Sequence, residues 1–266
     1  MFPSEKDFCF CSLALGKKYR TLAKQLAAEL DLYSPGTSLV LYTDAPEDFS
    51  NNANVLAFHH QSQGILYCFH DRRFVLEKAL SLFRAAIHID IDTKILAPVP
   101  EIHWQPGLTS GKDKFENIIH HLDKVEQYRG ISSPQEREAF TKLAAKLGVS
   151  LAETYWVQEA LYIVARDDGK EREFLEIWGR IGQYLELKGI HRGDGNAIGL
   201  AAAKVGWTIQ TEGFQELVRV RKHLDASKQE KQPASVWEKL RLKLRYHYRL
   251  NQARIRALAD FKFYYR

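Results

Sequence analysis

Residues 83–96 constrain the fold more than any other stretch of the sequence. Between residues 87 and 92, three isoleucines alternate with polar residues, and β-branched alternation of this kind is typical of a strand. The strand is expected to end in Asp90 and Asp92. Because side chains alternate along a strand, the two carboxylates are expected to project to the same side, about 6–7 Å apart.

This pair of aspartates predicts a cation site. Two carboxylates at such a distance repel each other unless a positive charge lies between them, and a hard divalent cation such as Mg²⁺ or Mn²⁺ suits oxygen ligands. The carboxyl end of a strand in an open α/β sheet is also where ligands bind. The alternative is a strand end with two solvated or helix-capping aspartates, since Asp-x-Asp is a short and common pattern.

The first half of the chain alternates between predicted strands and helices. Strands are expected at residues 8–13, 38–42, 51–58 and 87–92, and helices at 19–32 and 72–82. Such an order is typical of a parallel, Rossmann-like sheet with helices on its faces.

The second half is more mixed and begins with a loop at Pro98 and Pro100. Predicted helices cover residues 114–128, 133–147, 170–187 and 196–205. A core strand is expected at residues 154–165, and short strands at 107–110 and 207–210.

Charge divides the chain into two predicted domains. Residues 1–217 hold 24 Lys and Arg against 29 Asp and Glu, a net charge of −5, whereas residues 218–266 hold 14 against 4, a net charge of +10. We therefore expect a mildly acidic globular domain over 1–217 and a basic, aromatic-rich extension over 218–266. Residues 226–235 have the composition of a linker.

Four segments, taken in order, resemble the GT-A-type nucleotide-sugar-dependent glycosyltransferases, and each alone is a weak signal. They span about residues 7–212. They are the first strand with Gly16, Tyr19 and a second strand ending at Asp44; the helix with Arg73 and Lys78 running into Asp90-Ile-Asp92; residues 155–164 followed by Asp167 and Asp168; and Arg192-Gly-Asp194-Gly-Asn-Ala197.

The resemblance implies a GT-A-like, Rossmann-related mixed sheet, mostly parallel and flanked by helices. It implies an enzyme that moves a sugar from a nucleotide-sugar donor, a UDP-sugar above others, to a hydroxyl of a glycan or lipid-linked acceptor. Mn²⁺ or Mg²⁺ would be held by the Asp-x-Asp pair. The alternative is a non-catalytic nucleotide- or sugar-binding relative that acts as a membrane or partner adaptor through its basic extension.

The resemblance assigns roles around the donor. Asp92 is expected to bind the metal directly, and Asp90 to bind it through water or to hold the ribose hydroxyls. Leu13, Ala14, Leu15 and Tyr19 are expected to form the pocket for the base, mostly with backbone groups.

Other residues carry two interpretations each. Arg73 and Lys78 are expected to reach phosphate or sugar hydroxyls, although both also suit a solvated helix face. Asp44 is expected at the base or ribose, or as a turn cap. Asp194 and Glu159 are the predicted catalytic residues on the acceptor side, where Asp194 also suits a helix cap and Glu159 an ion pair.

The sequence departs from the family pattern in three places. Residues 158–160 read Gln-Glu-Ala where an Asn-x-Gly strand is usual, and Gly195-Asn196 stand where an acidic or glutamine pair is usual. The C-terminal metal-binding histidine of the family has no clear counterpart, and His191 and His223 are both candidates.

The basic extension has its own alternatives. Residues 239–250 alternate basic and apolar residues, which fits a strand, yet Lys, Arg and Leu also favour a helix. Basic and aromatic residues together suit an anionic membrane surface; a solvated C-terminal helix is the other interpretation, and no nucleic acid is expected. With three cysteines and no evident signal peptide, we expect a cytoplasmic protein, peripheral on the inner face of a membrane if the extension binds one.

Overall fold

The computed structural model of the protein describes residues 6–111, 117–129, 134–224 and 235–266. Within them it has eight strands and nine α-helices, joined by loops and short 3₁₀ turns. The strands are β1 (Phe8–Ala14), β2 (Leu39–Thr43), β3 (Val55–His59), β4 (Ala85–Ile89), β5 (Thr93–Ile95), β6 (Gly107–Thr109), β7 (Leu161–Ala165) and β8 (Arg221–His223). The helices are α1 (Lys17–Tyr33), α2 (Arg72–Leu82), α3 (Ile118–Arg129), α4 (Pro134–Leu147), α5 (Lys170–Leu187), α6 (Asp194–Lys204), α7 (Phe214–Arg219), α8 (Val236–Ala257) and α9 (Phe261–Tyr265).

Six strands form one mixed sheet in the order β3-β2-β1-β4-β7-β6. β1 pairs in parallel with both β2 and β4, and β2 in parallel with β3, whereas β7 runs antiparallel to its neighbours β4 and β6. The predicted α/β class, with a mostly parallel mixed sheet flanked by helices, is therefore confirmed. The chain leaves β1 toward β2 and β3 on one side and returns to its other side as β4, so strand order reverses between β1 and β4.

Two apolar layers cover the faces of this sheet. Side chains of α1 pack on one face with Phe8, Phe10 and Ile87, and those of α2 and α5 pack on the other with Cys9 and Cys11. Successive residues of β1 enter opposite layers because side chains alternate along a strand. A continuous apolar run such as that of β1 is typical of a strand buried on both faces.

β5 and β8 form a separate antiparallel pair beside the main sheet. Thr93 lies opposite His223 in its register, and the Leu224 N–H donates to the Asp92 carbonyl oxygen at 3.0 Å. The pair therefore joins the chain directly after Asp92 to a segment 130 positions later, inside the predicted basic extension. The domain boundary at residue 217 stays a prediction.

The predicted strand over residues 154–165 is wrong in its first half, because only Leu161–Ala165 is a strand. Residues 154–160 instead cross α6 at its two inner glycines. A Cβ on Gly195 would lie 2.3 Å from the Val157 carbonyl oxygen, and one on Gly199 would lie 2.0 Å from that of Tyr155. The glycines allow the backbone of residues 154–160 to rest on the helix instead of joining the sheet.

Two other strand predictions need correction. The strand predicted over residues 87–92 ends at Ile89, and Asp90 begins a turn in which its carbonyl oxygen accepts the Thr93 N–H at 3.0 Å. The short strand predicted at residues 207–210 is reduced to a single bridge between Gln210 and Thr109. The linker predicted at 226–235 and the start of the helix predicted at 114 fall largely outside the described residues.

The C-terminal extension is helical over the alternating basic segment. α8 begins with a capping box in which the Ser235 hydroxyl accepts the Glu238 N–H and the Glu238 carboxylate accepts the Ser235 N–H. Its second half packs on α5, where the Gln183 amide donates to the Ala253 carbonyl oxygen at 3.0 Å. Among the described helices, none has the length and apolar character needed to cross a membrane.

The close contact at Gly199 predicts the effect of one methyl group. Alanine normally stabilises a helix relative to glycine by about 1 kcal/mol, but in Gly199→Ala the new Cβ meets the Tyr155 carbonyl oxygen. We expect the variant to lose about 1–3 kcal/mol of unfolding free energy in urea titrations, because overpacking displaces backbone. Lys204→Ala, an exposed change on the same helix, is the control, and a stabilised Gly199→Ala would contradict the close packing.

Candidate functional site

A cavity of about 450 Å³ opens at the carboxyl ends of β1 and β4, where the strand order reverses. Open α/β sheets bind ligands at this position because the loops leaving the two strands diverge and leave a crevice. Leu13, Leu15 and Tyr19 line one wall, and Asp90 and Asp92 line another. We call this space the switch-point cavity.

Two carboxylates and an imidazole converge in the switch-point cavity. Asp90, Asp92 and His223 each offer one ligand atom, and these atoms lie within 4.8 Å of one another. The His223 Nε2 lies 3.1 Å from Asp92 Oδ1 and 3.8 Å from Asp90 Oδ2. The hydrogen bond to Asp92, opposed by partial burial and reinforced by the charges of both aspartates, raises the pKa of His223.

Backbone pairing places this histidine. The β5–β8 register sets His223 across from Thr93, one residue beyond Asp92. Strand pairing thereby brings the imidazole within reach of both carboxylates. Asp90 is fixed in turn by its N–H, which donates to the Ala160 carbonyl oxygen at 3.0 Å. The three groups are thus held by main-chain hydrogen bonds.

Arg72, the first residue of α2, is the cation that contacts this group of carboxylates. It donates to Asp90 Oδ1 at 2.6 Å and forms a second ion pair with Asp194, which is only 3% exposed. Although burial alone would lower it, the charges of Asp90 and Asp194 raise the pKa of Arg72. Because Arg72 occupies Oδ1 of Asp90, the other oxygen of that carboxylate is the one directed toward His223.

Burial favours the protonated form of two acids in this region. Desolvation raises the pKa of Asp90, with Arg72 opposing the shift and Asp92 adding to it. Desolvation also raises the pKa of Glu159, and the neighbouring charge of Asp194 reinforces that shift. A carboxyl group that keeps its proton more readily than usual is suited to general acid and base roles.

The predicted base-pocket residues divide between the cavity and its support. Leu13 and Tyr19 line the switch-point cavity, while Ala14 is fully buried at the end of β1. Asp44 accepts hydrogen bonds from the Gly16 N–H at 3.0 Å and from Arg20 at 2.7 Å. It thereby ties the end of β2 to the turn that follows β1.

Arg73 and Lys78 lie elsewhere on α2. Arg73 lines a different cavity, and the Lys78 ammonium lies 4.6 Å from the centroid of the Phe58 ring. Successive residues of a helix point about 100° apart, so the basic residue that faces the carboxylates is Arg72 rather than its neighbour. Arg72 thus holds the place that the prediction gave to Arg73.

The two predicted catalytic residues, Asp194 and Glu159, lie near Arg72 and outside the lining of the cavity. Asp194, at the start of α6, is engaged by Arg72, and a Cβ on Gly195 would lie 2.6 Å from Glu159 Oε2. Within the described structure, neither acid is among the residues that line the switch-point cavity. Their catalytic roles stay predictions, and their placement gives both a second role in fixing the cation.

Of the two candidate histidines, His223 joins the carboxylates, and His191 lies 6.0 Å from the Tyr246 ring of α8. The position of His223 does not follow from local pattern, because it depends on strand pairing between distant segments. Arg72 differs from Arg73 only in helical phase, and here a local signal exists. Arg72 precedes the buried Val75, Leu76 and Ala79 by three, four and seven positions, which places it on the inward face of α2.

Comparison with known proteins assigns no family: no protein-family model matches the sequence, and no curated protein matches it.

The buried ion pairs predict that Arg72 supports the fold of the site. In Arg72→Gln, Asp90 and Asp194 lose their shared cation, and leaving buried charges unpaired costs about 3 kcal/mol or more. Urea denaturation measures this loss. Arg20→Gln is the matched control, because Arg20 also bridges two aspartates, Asp44 and Asp48, but at the surface. Equal destabilisation of the two variants would contradict the assigned importance of the buried network.

Proposed function

We propose that the protein is a metal-dependent glycosyltransferase of the GT-A type that uses a nucleotide-sugar donor. The observation that carries the proposal is the convergence of Asp90, Asp92 and His223 within 4.8 Å at the switch point of a mostly parallel sheet. The position suits a nucleotide, and the ligands suit the cation that a diphosphate requires.

The residues present fit a divalent ion. Two carboxylate oxygens and one imidazole nitrogen form a ligand set that Mn²⁺ accepts readily, whereas Mg²⁺ prefers oxygen throughout. The charge balance also fits, because Arg72 neutralises one face of Asp90 and leaves its other oxygen available. A bound ion would supply charge stabilisation for the leaving diphosphate.

The chain supplies the rest of the donor site. Leu13, Leu15 and Tyr19 offer an apolar wall for a base, and UDP is the nucleotide that the resemblance favours. Tyr67 and Phe69 line the same cavity and provide flat surfaces for a sugar ring. A volume of about 450 Å³ lies in the usual range for a small-ligand site, about 300–1,000 Å³.

The transfer exchanges one bond for another. The bond between the sugar and the diphosphate breaks, the nucleoside diphosphate leaves, and an acceptor hydroxyl of a glycan or lipid-linked molecule forms the new glycosidic bond as it loses its proton. The proton passes to one of the two acids predicted for the acceptor side, and Asp194, a carboxylate paired with Arg72, is the better acceptor, because burial raises the pKa of Glu159 and favours its protonated form.

The metal site predicts a specific binding experiment. We expect UDP together with Mn²⁺ to raise the melting temperature of the wild-type chain, because a ligand that binds only the folded state stabilises it. Asp92→Asn and His223→Gln are expected to abolish this rise. Asp48→Asn, which removes an exposed carboxylate paired with Arg20, is expected to keep it. An undiminished rise in Asp92→Asn would refute the metal site, and no rise for any nucleoside diphosphate would favour the non-catalytic adaptor.

We also propose that α8 binds an anionic membrane surface, which would place the enzyme beside a lipid-linked acceptor. One stripe of the helix is apolar and faces away from the body. Its residues recur at intervals of three, four and seven, the spacing of a single helical face. They are Trp237, Leu240, Leu244, Tyr248 and Ile255, followed by Leu258 in the 3₁₀ turn after the helix, all exposed.

The opposite face of α8 carries its contacts to the body. Ala257 is fully buried, Ala253 accepts a hydrogen bond from Gln183, and Tyr246 packs edge-on against His191. Within the described structure the outward stripe is therefore uncovered apart from Tyr248, whose hydroxyl accepts from the Gln252 amide at 2.8 Å and which also lines a cavity beside α8. Trp237 and Leu244 are 78% and 64% exposed, which is unusual for side chains of their size.

The positive charge around the stripe favours an anionic membrane as its binding partner. Residues 235–266 carry nine Lys and Arg against two Asp and Glu, a net charge of +7, and Arg241, Arg245 and Arg254 flank the stripe by helical phase. An apolar stripe bordered by cations is typical of a helix that lies in the interface of an anionic bilayer. A second copy of the chain would bring the same positive charge and be repelled.

The stripe predicts vesicle binding that two substitutions remove. We expect the full chain to sediment with vesicles of phosphatidylglycerol and phosphatidylcholine, and to bind vesicles of phosphatidylcholine alone more weakly. Trp237→Glu with Leu244→Glu is expected to weaken binding about tenfold or more, since each buried apolar side chain contributes about 1.5–3 kcal/mol. The control is Leu32→Glu on α1, also strongly exposed at 69%. Equal loss in both proteins, or binding indifferent to lipid charge, would overturn the proposal.

A further inference from the structure

A second cavity, of about 550 Å³, lies between α5 and α8. Residues 59–65 form one wall, the start of α2 forms the floor, and α8 forms the opposite side. Ser62 lines both this space and the switch-point cavity. We call it the α5–α8 cavity; its volume suits a small organic ligand.

The floor of the α5–α8 cavity holds an arginine, Arg73, that makes no direct ion pair with an acid of the described structure. The Arg73 guanidinium carbon lies 3.7 Å from the centroid of the Phe74 ring, and among the described residues no hydrogen bond or ion pair reaches the guanidinium. α5 makes room for it, because a Cβ on Gly179 would lie 2.9 Å from the guanidinium carbon. Burial lowers the pKa of Arg73, and the charges of Asp71 and Glu77 oppose that shift.

A second donor on this floor lacks an acceptor. His70 is 8% exposed, and its Nδ1 accepts the indole N–H of Trp178 at 3.1 Å, which leaves the hydrogen on Nε2. Within the described structure that Nε2 is buried and has no hydrogen-bond partner. Burial lowers the pKa of His70 to about 4, so the ring is neutral near pH 7. Gly182 gives the ring its space, as Gly179 does for Arg73.

The remaining charges of the cavity are cationic or already satisfied. Arg249 donates to the carbonyl oxygens of Ser62 and Gly64 and holds the wall in place, and Arg256 is exposed at the rim.

The two acids of the cavity are occupied. Asp71 Oδ2 accepts from His60 Nε2 at 3.1 Å and from the Gln63 N–H at 2.7 Å. Glu186 accepts the Ile65 N–H at 3.0 Å, and burial raises its pKa to about 7, which reduces its negative charge near neutral pH. The unsatisfied groups of the cavity are therefore donors and cations.

We propose that the α5–α8 cavity binds a phosphate monoester of a small polyol. The phosphoryl oxygens would accept from Arg73 on the floor and Arg256 at the rim, and the amide side chains of Gln61 and Gln252 would meet the hydroxyl groups. Guanidinium groups recognise phosphate strongly because several N–H donors meet several anionic oxygens. This site is separate from the metal and does not depend on the transferase activity.

Isothermal titration calorimetry of the full chain without metal tests the proposal, with inorganic phosphate and glycerol phosphate as probes and glycerol as the neutral control. We expect both phosphates to bind and glycerol not to bind. Arg73→Gln and Arg256→Gln are each expected to weaken binding about tenfold, because each removes charge-assisted hydrogen bonds to the phosphoryl oxygens. Arg256→Gln changes an exposed side chain and keeps the test valid if Arg73→Gln does not fold.

Two controls separate the cavity from the rest of the molecule. Arg245→Gln removes an exposed cation of α8 that does not line the cavity, and Asp92→Asn alters only the proposed metal site. Both are expected to bind the phosphates as the wild type does. Unchanged affinity in Arg256→Gln, equal loss in Arg245→Gln, or tighter binding in Asp92→Asn would overturn the proposal, the last by placing the phosphate in the switch-point cavity, where removing a negative charge favours an anion.

Discussion

The candidate site depends on one buried cation. Arg72 joins Asp90, which follows β4, to Asp194, which starts α6, and so ties α2, the sheet and α6 together at one point. Without it, several acids would face one another in a region of low dielectric, where like charges repel strongly. The same arginine also gives the two carboxylate oxygens of Asp90 different partners. One is bound by Arg72, and the other is directed toward His223.

The regular parts of the fold could be predicted from sequence because their signals are local. α2 and α5 have the bounds that apolar periodicity predicts, and the strand before Asp90 follows from the alternation of Ile87 and Ile89 with polar residues. The error at residues 154–160 has a tertiary cause. Their β-rich composition favours a strand, but Gly195 and Gly199 bring α6 so close that the chain rests on the helix.

The site was predicted in part for the same reason. Asp90 and Asp92 were found as a pair, although they lie in a turn and not on one face of a strand as the spacing suggested. His223 was only one of two candidates, because its position is set by the register of β5 and β8 and no local pattern encodes that pairing. The exchange of Arg72 for Arg73 is a matter of helical phase, which is set by where α2 begins.

Ser62 belongs to the walls of both cavities, and Arg249 of α8 holds its carbonyl oxygen. A shared wall is a route for coupling between the two cavities, and any such coupling is reciprocal: the factor by which one occupant changes the affinity for the other equals the factor by which the other changes the affinity for the first. The wall is attached to α8 through a guanidinium and peptide oxygens, and α8 also presents its apolar stripe to the exterior. Ser62 and the loop around it therefore connect the two cavities with the helix that carries the apolar stripe.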